Sequence, residues 1–149
     1  MAKKTIHLKD ISFVDGSVDV KINFERFEKQ IGEAQYWLDN AIMASMEQFM
    51  PKDTGVFVNV TRAMSAAIAG SGTVIGGAPP AGRYLYMGKV MVDPATGSPY
   101  ARKGAKKIVT SRDITYSNPK ATPFWFETAK QRYGDAWVKG VKAKAGGDE

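Results

Sequence analysis

From Phe24 to Phe49, apolar residues recur every three or four positions: Phe24, Phe27, Ile31, Ala34, Leu38, Ala41, Ile42, Met46 and Phe49. Arg26, Lys29, Gln30, Glu33, Asn40 and Glu47 occupy the opposite face. This spacing predicts a single amphipathic helix of about seven turns at ~3.6 residues each. Asn23 is a good N-cap for it. Pro51 ends it, because the residue before a proline disfavours helical dihedrals. Tyr36 and Trp37 fall at the edge of the stripe and read as core margin. A second helix is expected after Thr122-Pro123, with the threonine as cap and the proline at the first helical position. Its stripe is Phe126, Ala129, Tyr133, Ala136, Trp137 and Val141, and Gly134 inside it costs about 1 kcal/mol relative to alanine.

The remaining chain is shorter in period and richer in breakers. Asp15-Gly16 is a tight-turn signal between ISFV and SVDVKI, and Val18, Val20 and Ile22 alternate with Asp19 and Lys21. Residues 11–24 therefore read as a β-hairpin whose second strand has one wet face. Pro51 to Gly55 is a turn. Residues 56–69 are ambiguous: the β-branched start favours strand and the later alanines favour helix. In Gly70 to Gly77 the third glycine falls one position late for a dinucleotide-binding loop and no P-loop lysine follows, so a hairpin turn with flexible flanks is expected. Residues 78–107 read as an extended surface arm containing a short strand at 89–93. Residues 108–117 alternate as a further strand. The expected fold is α+β: a small, mostly antiparallel sheet packed with one long amphipathic helix and a C-terminal helix, with long mobile loops. The chain reads as one domain over 1–149, with 1–10 and 144–149 frayed and 70–107 as the extended loop or arm.

Charge limits the choice of partners. The net charge is +6 and cysteine is missing altogether, so thiolate ligands, disulfides and thiol nucleophiles are excluded. A basic balance favours contact with nucleic acid or acidic protein surfaces. The start, MAKKTIHLKD, carries no apolar run behind its lysines and does not read as a signal peptide. No stretch approaches the ~18 apolar residues of a membrane span.

No constellation in the sequence points to catalysis. His7 is the one histidine and lies among polar residues, without partners at metal-ligand spacing. No acid pair is placed by a motif for acid–base work, and no serine sits in a G-x-S-x-G elbow. The expectation is no enzyme activity, no catalytic residues, no cofactor, no metal and no small-molecule substrate. Arg102, Lys103, Lys106 and Lys107 form a basic run beside Tyr100. Three readings stay open for it: phosphate contact with base stacking on the tyrosine, an acidic protein partner, or a solvated loop. Arg83, Tyr84, Tyr86, Met87 and Trp125 are of the types enriched at protein interfaces. They are candidates for a partner interface, or else they cover the sheet of their own chain.

PKDTG after a long helix, GRYLYMGKVMVDPATGSPYARKGAKK in the middle and ATPFWFETAKQRYGDAWVKG near the end carry a family resemblance. Over residues 24–143 the chain resembles the minor capsid, or head–tail neck, proteins of long-tailed phages of Gram-positive hosts. The resemblance implies a non-enzymatic virion protein, made in the bacterial host cytoplasm, acting as a connector or tail-completion component. The implied partners are other phage head, neck or tail proteins and further copies in a homo-oligomeric ring, with no membrane. Contact with packaged DNA stays open. An alternative is a nucleic-acid-binding module using the basic loop and C-terminal tail. Tyr84, Tyr86, Gly88, Tyr100, Phe124 and Trp125 match the motifs without an assigned role.

Overall fold

The computed structural model describes residues 7–147. Its two long helices, α1 (Glu25–Glu47) and α4 (Trp125–Lys144), pack along each other and form the body. They run antiparallel: Trp37 meets Gly140, Ser45 accepts a bond from the Trp137 indole N–H at 3.2 Å, and Gln48 Oε1 accepts one from the Tyr133 hydroxyl at 3.1 Å. The core is Met43, Met46, Phe49, Met50, Val58, Trp125, Ala129 and Trp137. The stripe expected on α1 is covered from Ala34 onward, but Phe27 stays exposed because α4 and its cap reach only as far as Gln30.

The helix start follows the sequence reading, with one shift. Asn23 Oδ1 accepts the Glu25 N–H at 2.8 Å, so its side chain works at the end of α1 although Phe24 is the capping residue by dihedral angles. Residues 7–10, expected to fray, are tied down. Asp10 Oδ1 accepts the Phe24 N–H at 3.1 Å, and the Leu8 amide and His7 ring meet the Glu28 carboxylate. The C-terminal cap likewise extends to Gly147, whose N–H bonds the Lys142 carbonyl at 2.8 Å. Residues 1–6, 148 and 149 lie outside the described residues.

The ambiguous stretch is helix α2 (Val56–Ala67). Val58, Thr61 and Ser65 recur at helical spacing on its buried side, which decides the matter against strand. The two polar members have partners: Thr61 Oγ1 accepts the Ala78 N–H at 2.9 Å, and Ser65 Oγ exchanges bonds with both the N–H and C=O of Ile75. Arg62 bonds the Glu47 carboxylate, joining α2 to α1 and holding the Glu47 carboxyl below its usual range.

Residues 70–78 are not a hairpin turn, since helices precede and follow them. Nor are their flanks loose. Asp39, buried in α1, accepts the N–H groups of Gly70 at 2.7 Å and Gly72 at 3.1 Å, with Gln35 Nε2 on its other oxygen at 2.7 Å. The arm expected over 78–107 is partly folded. It contains a short helix, α3 (Gly82–Met87), and a strand, β3 (Lys89–Val92). Gly82 is obligatory at the start of α3, because a Cβ there would lie 2.5 Å from the Gly77 carbonyl oxygen.

The strands divide into two antiparallel pairs. β3 pairs with β4 (Ile108–Asp113), and β1 (Ile11–Asp15) pairs with β2 (Val18–Ile22) through a Gly16-Ser17 turn. β4 ends earlier than expected, and the Ile114 N–H then bonds the Gly88 carbonyl at 2.9 Å. The C-terminal helix starts two residues late. Thr122 is not its cap; its hydroxyl pairs with Thr128 Oγ1 at 3.1 Å. Phe124 caps instead, in the left-handed region at φ 51° and ψ 47°. It is held there by its N–H to the Tyr86 carbonyl at 2.8 Å and by edge-on packing against the Tyr86 ring. Such a conformation costs a bulky residue roughly 1–2 kcal/mol, which those contacts offset.

Candidate functional site

The β1–β2 ribbon is the part of the chain least absorbed by its own body. Directly opposed residues share a face of an antiparallel pair. The register Ile11↔Ile22, Phe13↔Val20 and Asp15↔Val18 therefore puts Ile11, Phe13, Val18, Val20 and Ile22 on one face. Ser12, Val14, Asp19 and Lys21 take the other. The apolar face is open: Phe13 is 53% exposed and Val18 58%. Among the described residues no helix or further strand makes an extensive contact with the ribbon, both of its edges are unpaired, and Val20 alone of its apolar face is half-buried. A lone two-stranded hairpin is marginal in water unless something covers its apolar face. The sequence alternation had located a wet face; the structure leaves both faces wet.

The predicted candidates fall into two surface places, with Trp125 in the core. Arg83, Tyr86 and Met87 line an open cleft of about 730 Å³, whose other walls are mainly Leu38, Ile42 and Met46 of α1, Val74 and Phe126. Arg83 is exposed and makes no ion pair among the described residues. Tyr86 belongs partly to the core. Its ring stands edge-on to Trp125 at 4.8 Å, and its hydroxyl donates to the Glu127 carboxylate. Burial, reinforced by that carboxylate, pushes the phenol pKa well above its usual value. Trp125 is a correction. It is 0% exposed, lies at the centre of the core and donates its indole N–H to the Gly76 carbonyl at 2.8 Å. It is therefore not surface for a partner; it covers its own chain.

Residues 93–107 form the second place. Asp93, which the sequence places at a turn without a bracing role, organises them. It is fully buried and accepts from the Ala95 N–H at 2.8 Å, the Arg102 N–H at 3.1 Å and the Arg102 guanidinium at 2.8 and 3.2 Å. The guanidinium, helped by the two amides, lowers the Asp93 carboxyl to about 2. Arg102 is thus a brace for this loop rather than a free cation. Lys107 Nζ sits 6.0 Å from the Tyr84 ring centroid, which brings the loop against α3. Tyr100, Lys103 and Lys106 point outward, with Tyr100 86% exposed. Of the four basic residues, Lys103 and Lys106 alone stay without a charge or ring partner among the described residues.

Helix α2, which carries none of the predicted candidates, has an exposed apolar stripe of Val56, Val60 and Met64. Among the described residues no group of three or more His, Asp or Glu could hold a metal ion, and no helix is long and apolar enough to cross a membrane.

The exposed face was half legible. The alternation of Val18, Val20 and Ile22 identified an apolar side, but exposure depends on what the rest of the chain leaves uncovered. The bracing roles of Asp93 and Asp39 gave no local signal, because Arg102 lies 9 residues from the one and Gly70 and Gly72 lie more than 30 from the other. Comparison with protein-family models, curated proteins and solved structures yields no match.

Proposed function

We propose that this chain is a structural virion protein of a tailed phage, acting at the head–tail junction as a neck, connector or tail-completion component and assembling by protein–protein contacts. The observation that carries the reading is the amphipathic β1–β2 ribbon with its apolar face uncovered. Exposed apolar patches of this kind mark interaction sites. The motif resemblance in residues 82–107 and 121–140 supplies the setting. The exposed loop tip at Tyr100, braced from within by Asp93 and Arg102, adds a second contact surface of fixed shape. The test is a null allele in a phage genome that carries the gene. The expected outcome is DNA-filled heads and separate tails, joined again when the protein is supplied in trans. Normal yields of complete, infectious particles without it would refute the role. A charge-reversed Lys103/Lys106 variant that still supports complete particles would remove the loop from it.

A second reading, a nucleic-acid-binding module, draws on charge distribution. Residues 40–147 hold 15 Lys and Arg against 6 Asp and Glu, a net of +9. Binding through phosphates would give a steep fall of log affinity with log salt. The engagement of Arg102 by Asp93 and of Lys107 by Tyr84 reduces the loop's free charge and weighs against this reading.

A further inference from the structure

We infer that the apolar face of the β1–β2 ribbon docks on a second copy of this chain, in the cleft between α1, α3 and Phe126. The inference rests on the reading of the chain as an assembling protein and names the contact by which one copy would hold the next. Three observations converge on it.

First, ribbon and cleft are complementary in shape and chemistry. The ribbon offers Ile11, Phe13, Val18, Val20 and Ile22 on one narrow side. The cleft offers Leu38, Ile42, Val74, Met87 and Phe126 in an open trough of about 730 Å³. On the ribbon's apolar face Ile11, Phe13, Val18 and Ile22 are each 40–58% exposed, and contiguous exposed apolar patches mark interaction sites.

Second, the ribbon does not fill its own chain's cleft, since none of its residues lines that cleft. The ribbon leads directly into Glu25, whereas the α1 wall of the cleft runs mainly from Leu38 to Met46. At ~1.5 Å per residue the two are about 20–30 Å apart along a rigid helix. A ribbon seated in this cleft would therefore be that of another copy.

Third, the charges of the two regions are opposite. From Asp10 to Glu33, which covers the ribbon and the first turns of α1, six acids face three bases, a net of −3. Residues 40–147 carry +9; of the two charged residues lining the cleft, Asp39 is buried and bonded to the Gly70 and Gly72 amides, which leaves the exposed Arg83 as the charge a docked ribbon meets. A uniformly basic protein repels its copies; one with an acidic, apolar end and a basic body can stack head to tail, with opposite charges setting orientation. Such a contact is heterologous, since donor and acceptor surfaces differ. Repeated, it closes into a ring or runs on as a filament, whereas a two-fold contact would stop at a dimer.

The experiment uses the purified full chain in sedimentation velocity over a concentration series. One variant alters the ribbon (Phe13→Ser with Val18→Ser), a second alters the cleft rim (Arg83→Glu), and a third alters the α2 stripe (Met64→Glu). Helical circular dichroism checks that each body is folded. The wild type is expected to form species larger than dimers. The ribbon and cleft variants are each expected to raise the dissociation constant at least tenfold, and Met64→Glu to leave it unchanged. Mixing the ribbon and cleft variants is the decisive step. The mixture retains one intact ribbon and one intact cleft, so it should form a one-to-one dimer and nothing larger. The inference is overturned if the wild type stays monomeric, if the ribbon variant associates like the wild type, if Met64→Glu rather than Arg83→Glu abolishes association, or if the mixture fails to dimerise. A strictly dimeric wild type that the ribbon variant abolishes and the cleft variant spares would mean ribbon-to-ribbon pairing and also overturn it. These outcomes separate from the virion role, because particles from the null allele could still lack tails while the pure chain is monomeric.

Discussion

Gly140→Ala sets two effects of known size against each other at the α1–α4 contact. In open space the change would stabilise α4 by about 1 kcal/mol, the difference in helix propensity. Here the added Cβ would lie 2.0 Å from Cη2, 2.4 Å from Cζ3 and 2.7 Å from Cζ2 of Trp37. Ordinary contact begins near 3.4 Å, so the ring or the helix must give way by about 1.4 Å. Three ring atoms are involved, and overpacking of this degree costs up to about 3 kcal/mol. The clash therefore wins, with an expected net loss of about 2 kcal/mol. For a chain of this length that lowers Tm by about 4–8 °C at roughly 2–4 °C per kcal/mol. Urea unfolding of four proteins measures it: wild type, Gly140→Ala, Trp37→Ala and the double variant. With the ring removed, Gly140→Ala should become stabilising by about 1 kcal/mol, giving a coupling energy near 3 kcal/mol. If the single variant is more stable than wild type, or the coupling falls below about 0.5 kcal/mol, the close approach of Trp37 and Gly140 is refuted.

Asp39→Ala should destabilise by about 2–3 kcal/mol, since it strips a charged acceptor from two amides and a glutamine; hydrogen exchange at Gly70 and Gly72 should accelerate with it, and unchanged exchange would contradict the anchoring. Trp125→Phe keeps a ring but removes the donor to Gly76 and leaves a void, for an expected loss of about 2–4 kcal/mol by denaturant titration; a loss under 0.5 kcal/mol, on the order of a surface change, would contradict its central place. Asp93 has its folded pKa lowered from 3.8 to about 2, so its contribution is complete above the unfolded value and lost as pH falls through about 2. The 93–102 loop should hold its amide protection down to pH 3 or so in the wild type, whereas Arg102→Ala should return the Asp93 carboxyl towards 3.8, read by NMR titration; an unmoved carboxyl would show that the guanidinium is not the cause.

How far the sequence reaches can be judged element by element. Phe24 to Phe49 and Phe126 to Val141 state their helices because the information is periodic and local; each turn repeats the message. Asp15-Gly16 between alternating strands is equally local. Residues 56–69 defeat that logic, because a β-branched start and an alanine-rich end give opposing propensities. Burial of Val58, Thr61 and Ser65 against the body decides for helix, and the bonds from Thr61 and Ser65 to Ala78 and Ile75 join α2 to the following loop. Trp125 lies beyond local inference too. A tryptophan beside a helix start is equally compatible with a surface anchor and a core centre until Tyr86, Phe57 and Gly76 arrive around it.

By itself, then, the sequence determined the two rods, the amphipathic ribbon and the basic balance, all of which depend on neighbours within a few residues. The tertiary structure decided which acids are buried braces, that Arg102 is spent inside its own loop, and that the ribbon's apolar face stays uncovered. Burial is a property of the whole surface rather than of a segment. A side chain is inside only when distant parts of the chain close over it, and no local spacing records whether they do.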